Sequence, residues 1–212
     1  MNTSRENILG SIRKSLQQKV DKPFPNVDET GDIYTRSNLT VEECYAEEFV
    51  KLGGKFVYCT GEQDFLHKLL MLADTMKWQR IHALDKPLLQ MASLHHMHLL
   101  HSAEAELHSM EVGISSCEFL VARTGSAIMS SSQDYGRQLP VYAPIHITYA
   151  YTSQVVWDIT DAMKRIQQKY PDGIPSMLSL TTGPSRTADI EKTLVVGVHG
   201  PKEVYTFLIE KE

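Results

Sequence analysis

Cysteine is scarce in this chain of 212 residues: Cys44, Cys59 and Cys117 are the whole complement, widely spaced and without a C-x-x-C pair. An odd, scattered set argues against a disulfide framework and reads as buried thiols in a reducing cytoplasm. Three thiols also fall short of a four-thiolate zinc or iron–sulfur site. Long apolar runs are missing as well. The longest, Leu69 to Ala73, has five residues, against the ~20 that a membrane-spanning helix needs. The opening Met-Asn-Thr-Ser-Arg-Glu-Asn is polar with no apolar stretch behind it, so no secretory signal is expected. There is no basic excess: 21 Lys and Arg face 26 Asp and Glu, a net charge of -5. A mildly acidic chain is a poor partner for nucleic-acid phosphates.

What is present is enough for one α/β domain with a small N-terminal attachment, at 42% hydrophobic and 22% charged residues. Ile8, Ile12 and Leu16 recur at a spacing of four and predict a helix over 4–18. From Lys19 to Asn38 the apolar content falls and Pro23, Pro25 and Gly31 punctuate an extended linker, so the domain is placed at 39–212. Thr40 and Glu43 have capping-box spacing ahead of a helix that stops at Gly53-Gly54. A strand over 55–59, a helix capped by Thr60 and Gln63, and a strand over 80–84 make a βαβ unit, which implies a parallel sheet. Further strands are expected over 125–131, 145–151 and 176–181, with a helix from about Ser153 to Lys169. After Gly183-Pro184 the pattern predicts a short helical segment. Leu194 to Val198 and Val204 to Ile209 then read as an antiparallel hairpin. The sum is a mixed, mainly parallel sheet with helices on both faces.

Three segments can carry chemistry. Thr181 to Glu191 leaves a strand, turns through Gly183 and Pro184, and offers Ser185 as an N-cap, with Arg186 and Thr187 beside it. A strand end followed by a helix start seats a carboxylate or phosphate on free N–H groups, and Arg186 adds a fork of donors. The plainer alternative makes Gly-Pro a turn and Arg186 a partner of Asp189 or Glu191. In Arg123-Thr-Gly-Ser126, Gly125 permits close approach of a ligand or another backbone, and Thr124 and Ser126 can donate to an anion. Arg137 and His146 are candidate polar groups at loop–strand junctions, and His199 sits beside Gly200 in the last turn, where an imidazole is easily exposed. His95, His96, His98, His101 and His108 cluster without an H-E-x-x-H pattern, and read as a solvated stretch rather than a metal site. Nucleophile-elbow, P-loop and dinucleotide-binding patterns are absent.

The blocks Arg123-Thr-Gly-Ser126, Leu139-Pro140 with His146-Ile147, Thr182-Gly-Pro-Ser-Arg-Thr-Ala-Asp-Ile-Glu191 and Gly197-Val-His-Gly-Pro201 resemble the LUD domain family, of the lactate-utilisation protein C type. The resemblance covers about 112–210 clearly and 39–108 weakly. It implies a three-layer α/β fold like that of ribose-5-phosphate isomerases, glucosamine-6-phosphate isomerases and CoA transferases. It also implies a part in oxidising L-lactate to pyruvate beside iron–sulfur partner proteins, with no cluster in this chain. A small carboxylate or phosphate is then expected where the Thr-Gly-Ser strand, the Gly-Pro-Ser-Arg turn and the Gly-Val-His-Gly-Pro loop meet. Many members carry an acidic residue where this chain has Arg123, so a carboxylate nucleophile at that position is missing here, and Arg123 is expected to hold an anion instead.

Two other functions stay open at this level. One is a free-standing isomerase or transferase with Asp189, Glu191 or His199 as the acid–base group and Arg186 on a phosphate. The other is an assembly module that docks through its N-terminal helix.

Overall fold

A computed structural model describes residues 3–17, 34, 38–96, 100–101, 110–135, 137–190 and 193–211, with only the backbone of 100–101, 188–190 and 193–194. It divides into two compact units, 1–37 and 38–212. In the first, α1 spans Ser4–Gln17. Thr3 and Glu6 cap each other's backbone N–H groups at its start. Ile8, Ile12 and Leu16, the expected apolar stripe, are exposed. The linker expectation falls outside the described residues, apart from Tyr34 and Asn38.

The second unit follows its local signals closely at first. Helix α2, Val41–Lys51, starts with the expected reciprocal bonds between Thr40 and Glu43. Strand β1, Lys55–Cys59, leads into α3, Glu62–Met76. Gly61 is the cap residue of α3 in place of the expected Thr60–Gln63 pair, because the Asp64 carboxylate takes both the N–H and the hydroxyl of Thr60. Then come β2 (Ile81–Ala83), α4 (Lys86–Leu94), β3 (Leu100–His101) and β4 (Val112–Ser115). They are followed by β5 (Phe119–Val121), β6 (Ser126–Ser130), α5 (Leu139–Tyr142) and β7 (Ile145–Tyr151). A short β8, Val155–Val156, precedes α6, Ile159–Lys169. This helix begins later than expected because Asp158 caps it through the Thr160 N–H. Last are β9 (Leu178–Thr181), β10 (Arg186–Ile190), β11 (Thr193–Val196) and β12 (Glu203–Ile209).

The central sheet is parallel throughout, in the order β1-β12-β7-β4-β2-β3. β1 and β2 share it as the βαβ reading requires, yet β12, β7 and β4 lie between them. A second, four-stranded sheet runs β8-β5-β6-β9, and β10 and β11 form a separate antiparallel pair.

Two expectations are overturned. Arg186–Ile190 is a strand rather than a helix, since its backbone pairs with Thr193–Val196. The hairpin of 194–198 with 204–209 does not form. β11 turns back onto β10, while β12 enters the central sheet between β1 and β7. The physical reason lies in β12 itself: Val204 to Ile209 are all buried, which suits a strand covered on both faces in a parallel sheet and not a two-stranded ribbon.

One face of the central sheet packs Ile114, Ile147 and Phe207 against Phe65, Leu69 and Leu88 of α3 and α4. The other face packs Ala150, Val204 and Leu208 against Tyr45 and Phe49 of α2 and against Leu120 and Met129 of the second sheet. Helix α6 covers the far side of that sheet with Ala162 and Ile166. The inner face also carries a buried polar row of Ser115, His146, Thr148 and Thr206, the last bonded to the Tyr45 hydroxyl at 3.0 Å.

Gly125 is where α2 crosses the second sheet. Its φ is +57°, and a Cβ there would lie 2.5 Å from the Phe49 nitrogen. Of the two uses foreseen for this glycine, the close backbone is the one observed. Gly125→Ala should therefore cost about 3 kcal/mol through backbone strain and overpacking. Urea unfolding reads this directly, and an unchanged midpoint would contradict the crossing.

Candidate functional site

A cleft of about 470 Å³ opens at the amino ends of β7 and β12. Its walls are the Thr181–Arg186 turn and the His199–Pro201 loop, with Leu52 from the end of α2, Pro140 and Val141 from α5, and His146 and Val204 from the sheet. Backbone bonds hold the two loops together: Ser185 N–H donates to Pro201 C=O, and Gly197 N–H to Ser185 C=O, both at 2.9 Å. Lys202 N–H donates to Pro144 C=O at 2.8 Å, which ties the loop to the entrance of β7. Gly183, at φ +70°, lets the turn approach Leu52. Of the expected binding residues, His146, Gly183, Pro184, Ser185, Arg186, His199 and Gly200 line this cleft.

The polar groups of the cleft differ from the helix N-terminus expected from the sequence. No helix follows Pro184, and the Ser185 N–H is spent on Pro201. Side chains supply the polar groups instead. Arg186 Nη2 donates to the Leu52 carbonyl at the negative end of α2. Among the described lining residues Arg186 is the one full charge, beside two imidazoles and the hydroxyls of Thr181, Thr182 and Ser185, with no carboxylate. His199 is exposed, whereas His146 is 2% exposed and has its Nε2 at 2.9 Å from the Ser115 hydroxyl. Burial pushes the His146 imidazole down to about 4, so it is neutral near pH 7.

The other expected residues lie outside the lining. Ser126 is buried beneath it and bonds Thr182 Oγ1 and Thr124 Oγ1, each at 2.8 Å, so the Thr-Gly-Ser segment braces the cleft without facing it. The Arg123 guanidinium pairs with Asp158 at the start of α6. Arg137 donates to the Ser176 hydroxyl at 2.7 Å. Thr187 pairs with Val195 on the β10–β11 ribbon. Asp189 belongs to β10 with only its own backbone described, and Glu191 falls outside the described residues. Ser115 and the Leu52 carbonyl had no sequence signal, since both reach their partners only through the tertiary fold.

The histidine stretch supplies exposed His95 and His96 at the end of α4 and the backbone of His101 in β3; His98 and His108 fall outside the described residues. Among the described residues, no group of three or more His, Cys, Asp or Glu is placed to hold a metal ion. The cysteines are buried thiols, and burial pushes Cys59 up to about 11.

Open parallel sheets usually bind ligands beyond the carboxyl ends of their strands. A wider crevice of about 800 Å³ does lie there, at the ends of β1, β7 and β12. Glu62, Asp64 and Glu210 line it against Lys211, so its charge opposes an anion. For a small anion, charge favours the cleft at the amino ends.

The architecture is that of an α/β domain on an all-parallel central sheet, with a cationic cleft between two loops. The LUD domain family model matches residues 41–209, and the chain belongs to that family. "Lactate utilization protein C" of Bacillus licheniformis is 39% identical over 101 residues, 47% of this chain and 42% of that relative. The protein of the same name from Bacillus subtilis strain 168 is 38% identical over 100 residues, 46% of this chain and 42% of that relative. The matched stretch is thus under half of either relative's length. A DUF162 family protein from Deinococcus radiodurans has a crystal structure similar in fold, with a TM-score of 0.58 at 16% identity, covering 80% of this chain and 96% of that one. Among the described residues, no helix is long and apolar enough to cross a membrane.

The buried imidazole has a consequence for stability. The unfolded chain protonates His146 near pH 6.5 and the native state only near 4, so stability falls as pH drops through that window. At pH 5 the loss is about 2 kcal/mol. His146→Gln should flatten this part of the stability–pH curve in urea unfolding; an identical slope would show that the native imidazole titrates normally.

Proposed function

We propose that this chain serves L-lactate utilisation in the cytoplasm by holding a small carboxylate, lactate or pyruvate, in the cleft between the Thr182–Arg186 turn and the His199–Pro201 loop. The observation that carries this reading is the lining: one guanidinium, hydroxyls and neutral imidazole, and no opposing carboxylate among the described residues. The similarity to relatives named for lactate utilisation supports the metabolic part of this reading. Arg186 supplies charge-assisted hydrogen bonds to the carboxylate, and Thr182, held by Ser126, supplies a hydroxyl. Oxidation of lactate to pyruvate releases two electrons. Three separate thiols hold no four-thiolate cluster, so we assign electron transfer to iron–sulfur partner subunits, with this chain carrying no cluster of its own.

Calorimetry with L-lactate, pyruvate and inorganic phosphate tests the cleft. Saturable binding of a carboxylate is expected, with Arg186→Ala weakening it about 10- to 100-fold, the size of a lost charged hydrogen bond. Absence of binding, or binding indifferent to Arg186→Ala, would overturn the assignment. In the host, deletion of the gene should abolish growth on L-lactate, and normal growth would remove the metabolic role.

A further inference from the structure

We propose that Ser115 is a positioning residue of the cleft: it holds Nε2 of His146 and thereby sets Nδ1–H as the ring group that meets a bound anion. This rests on the anion reading above. Ser115 ends β4 and His146 stands near the start of β7; because Gly113 pairs with His146, Ser115 lies two residues further along the same inner face. The serine is fully buried and lies outside the cleft lining, whereas His146 lines the cleft. Among the described residues Nδ1 of His146 has no hydrogen bond to protein and is not one of the sealed, unpartnered polar atoms, so it is the ring nitrogen left open to the cleft. The space over Gly113, the register partner of His146, is filled by Ala143 and Leu139: a Cβ there would lie 2.9 Å from that of Ala143.

The tautomer follows from the hydrogen bond to Ser115 and suits an anionic ligand. A neutral imidazole carries one N–H, and an anion only accepts hydrogen bonds. With the hydrogen on Nδ1, Nε2 is a lone pair that needs a donor, and the Ser115 hydroxyl, 2.9 Å away, is that donor. With the hydrogen on Nε2, a lone pair would face the anion and repel it. The fully buried Ser115 hydroxyl has Nε2 as its one side-chain hydrogen-bond partner among the described residues, so its hydrogen is satisfied only by donating there, which leaves Nδ1 to carry the imidazole hydrogen. The low proton affinity of the buried ring keeps it in the neutral form in which this choice operates.

Nitrogen NMR of the full-length protein labelled with ¹⁵N-histidine, with His146→Gln for assignment, reads the tautomer before any ligand is added. One-bond N–H coupling on Nδ1 at pH 7 is expected, and coupling on Nε2 would overturn the inference. In Ser115→Ala the Nδ1–H preference should be lost and pyruvate affinity should fall three- to tenfold. An unchanged tautomer in that variant would also overturn the inference. Arg186→Ala should weaken pyruvate binding while leaving the Nδ1–H signal intact, which separates the two roles. If Ser115→Ala fails to fold, the wild-type tautomer decides. A wild-type chain that shows Nδ1–H but binds neither lactate, pyruvate nor phosphate would defeat the anion reading, whereas Nε2–H with pyruvate binding intact would defeat the positioning role alone.

Discussion

Strand β12 comes from the end of the described chain and runs inside the central sheet, next to the edge strand β1, paired along all seven residues with β7 and along five with β1. Each pairing satisfies backbone groups that would otherwise be buried without partners, at a cost of about 1–3 kcal/mol apiece. Registering Glu203 with Ile145 fixes where the preceding loop must arrive, namely at the mouth of β7. Lys202 is caught there by Pro144, and Pro201 by Ser185. The cleft is thus a by-product of that register: it is the space left where the His199–Pro201 loop descends into the sheet beside the Thr181–Arg186 turn.

The same insertion creates the polar seam on the inner face. Thr206 of β12 meets the Tyr45 hydroxyl, and on the neighbouring strands His146 meets Ser115. Buried polar groups are tolerable only when hydrogen-bonded, and such pairs specify orientation as much as they stabilise. Helix α2 completes the arrangement. Its flank packs on the sheet through Tyr45 and Phe49, and its last carbonyl at Leu52 holds Arg186 over the cleft. One helix therefore links the core, the Gly125 crossing and the charge of the candidate site.

Much of this was legible in local sequence. The Thr40–Glu43 capping box, the strand over 145–151 and the helix running to Lys169 appear as their side chains announce them, because caps and periodicity act within a few residues. Two of the motif blocks lie in the loops that line the cleft. What was misread shares one property. Arg186–Ile190 looked helical after a Gly-Pro turn, and 194–209 looked like a hairpin, because the partners that decide both lie elsewhere in the chain. The pairing of Arg123 with Asp158, 35 residues later, likewise has no local signal.

By itself, the sequence determined the class of domain, the scarcity of thiols and the segments from which a site is built, since composition, capping and alternation are properties of neighbouring residues. Only the tertiary structure decided which of those segments meet. Strand order, the partner of Ser185 N–H, the burial that keeps His146 neutral and the contact between Arg186 and Leu52 all depend on pairing between distant stretches. Those pairings are set by how a buried strand such as β12 satisfies its backbone on both sides at once, and no local pattern encodes that.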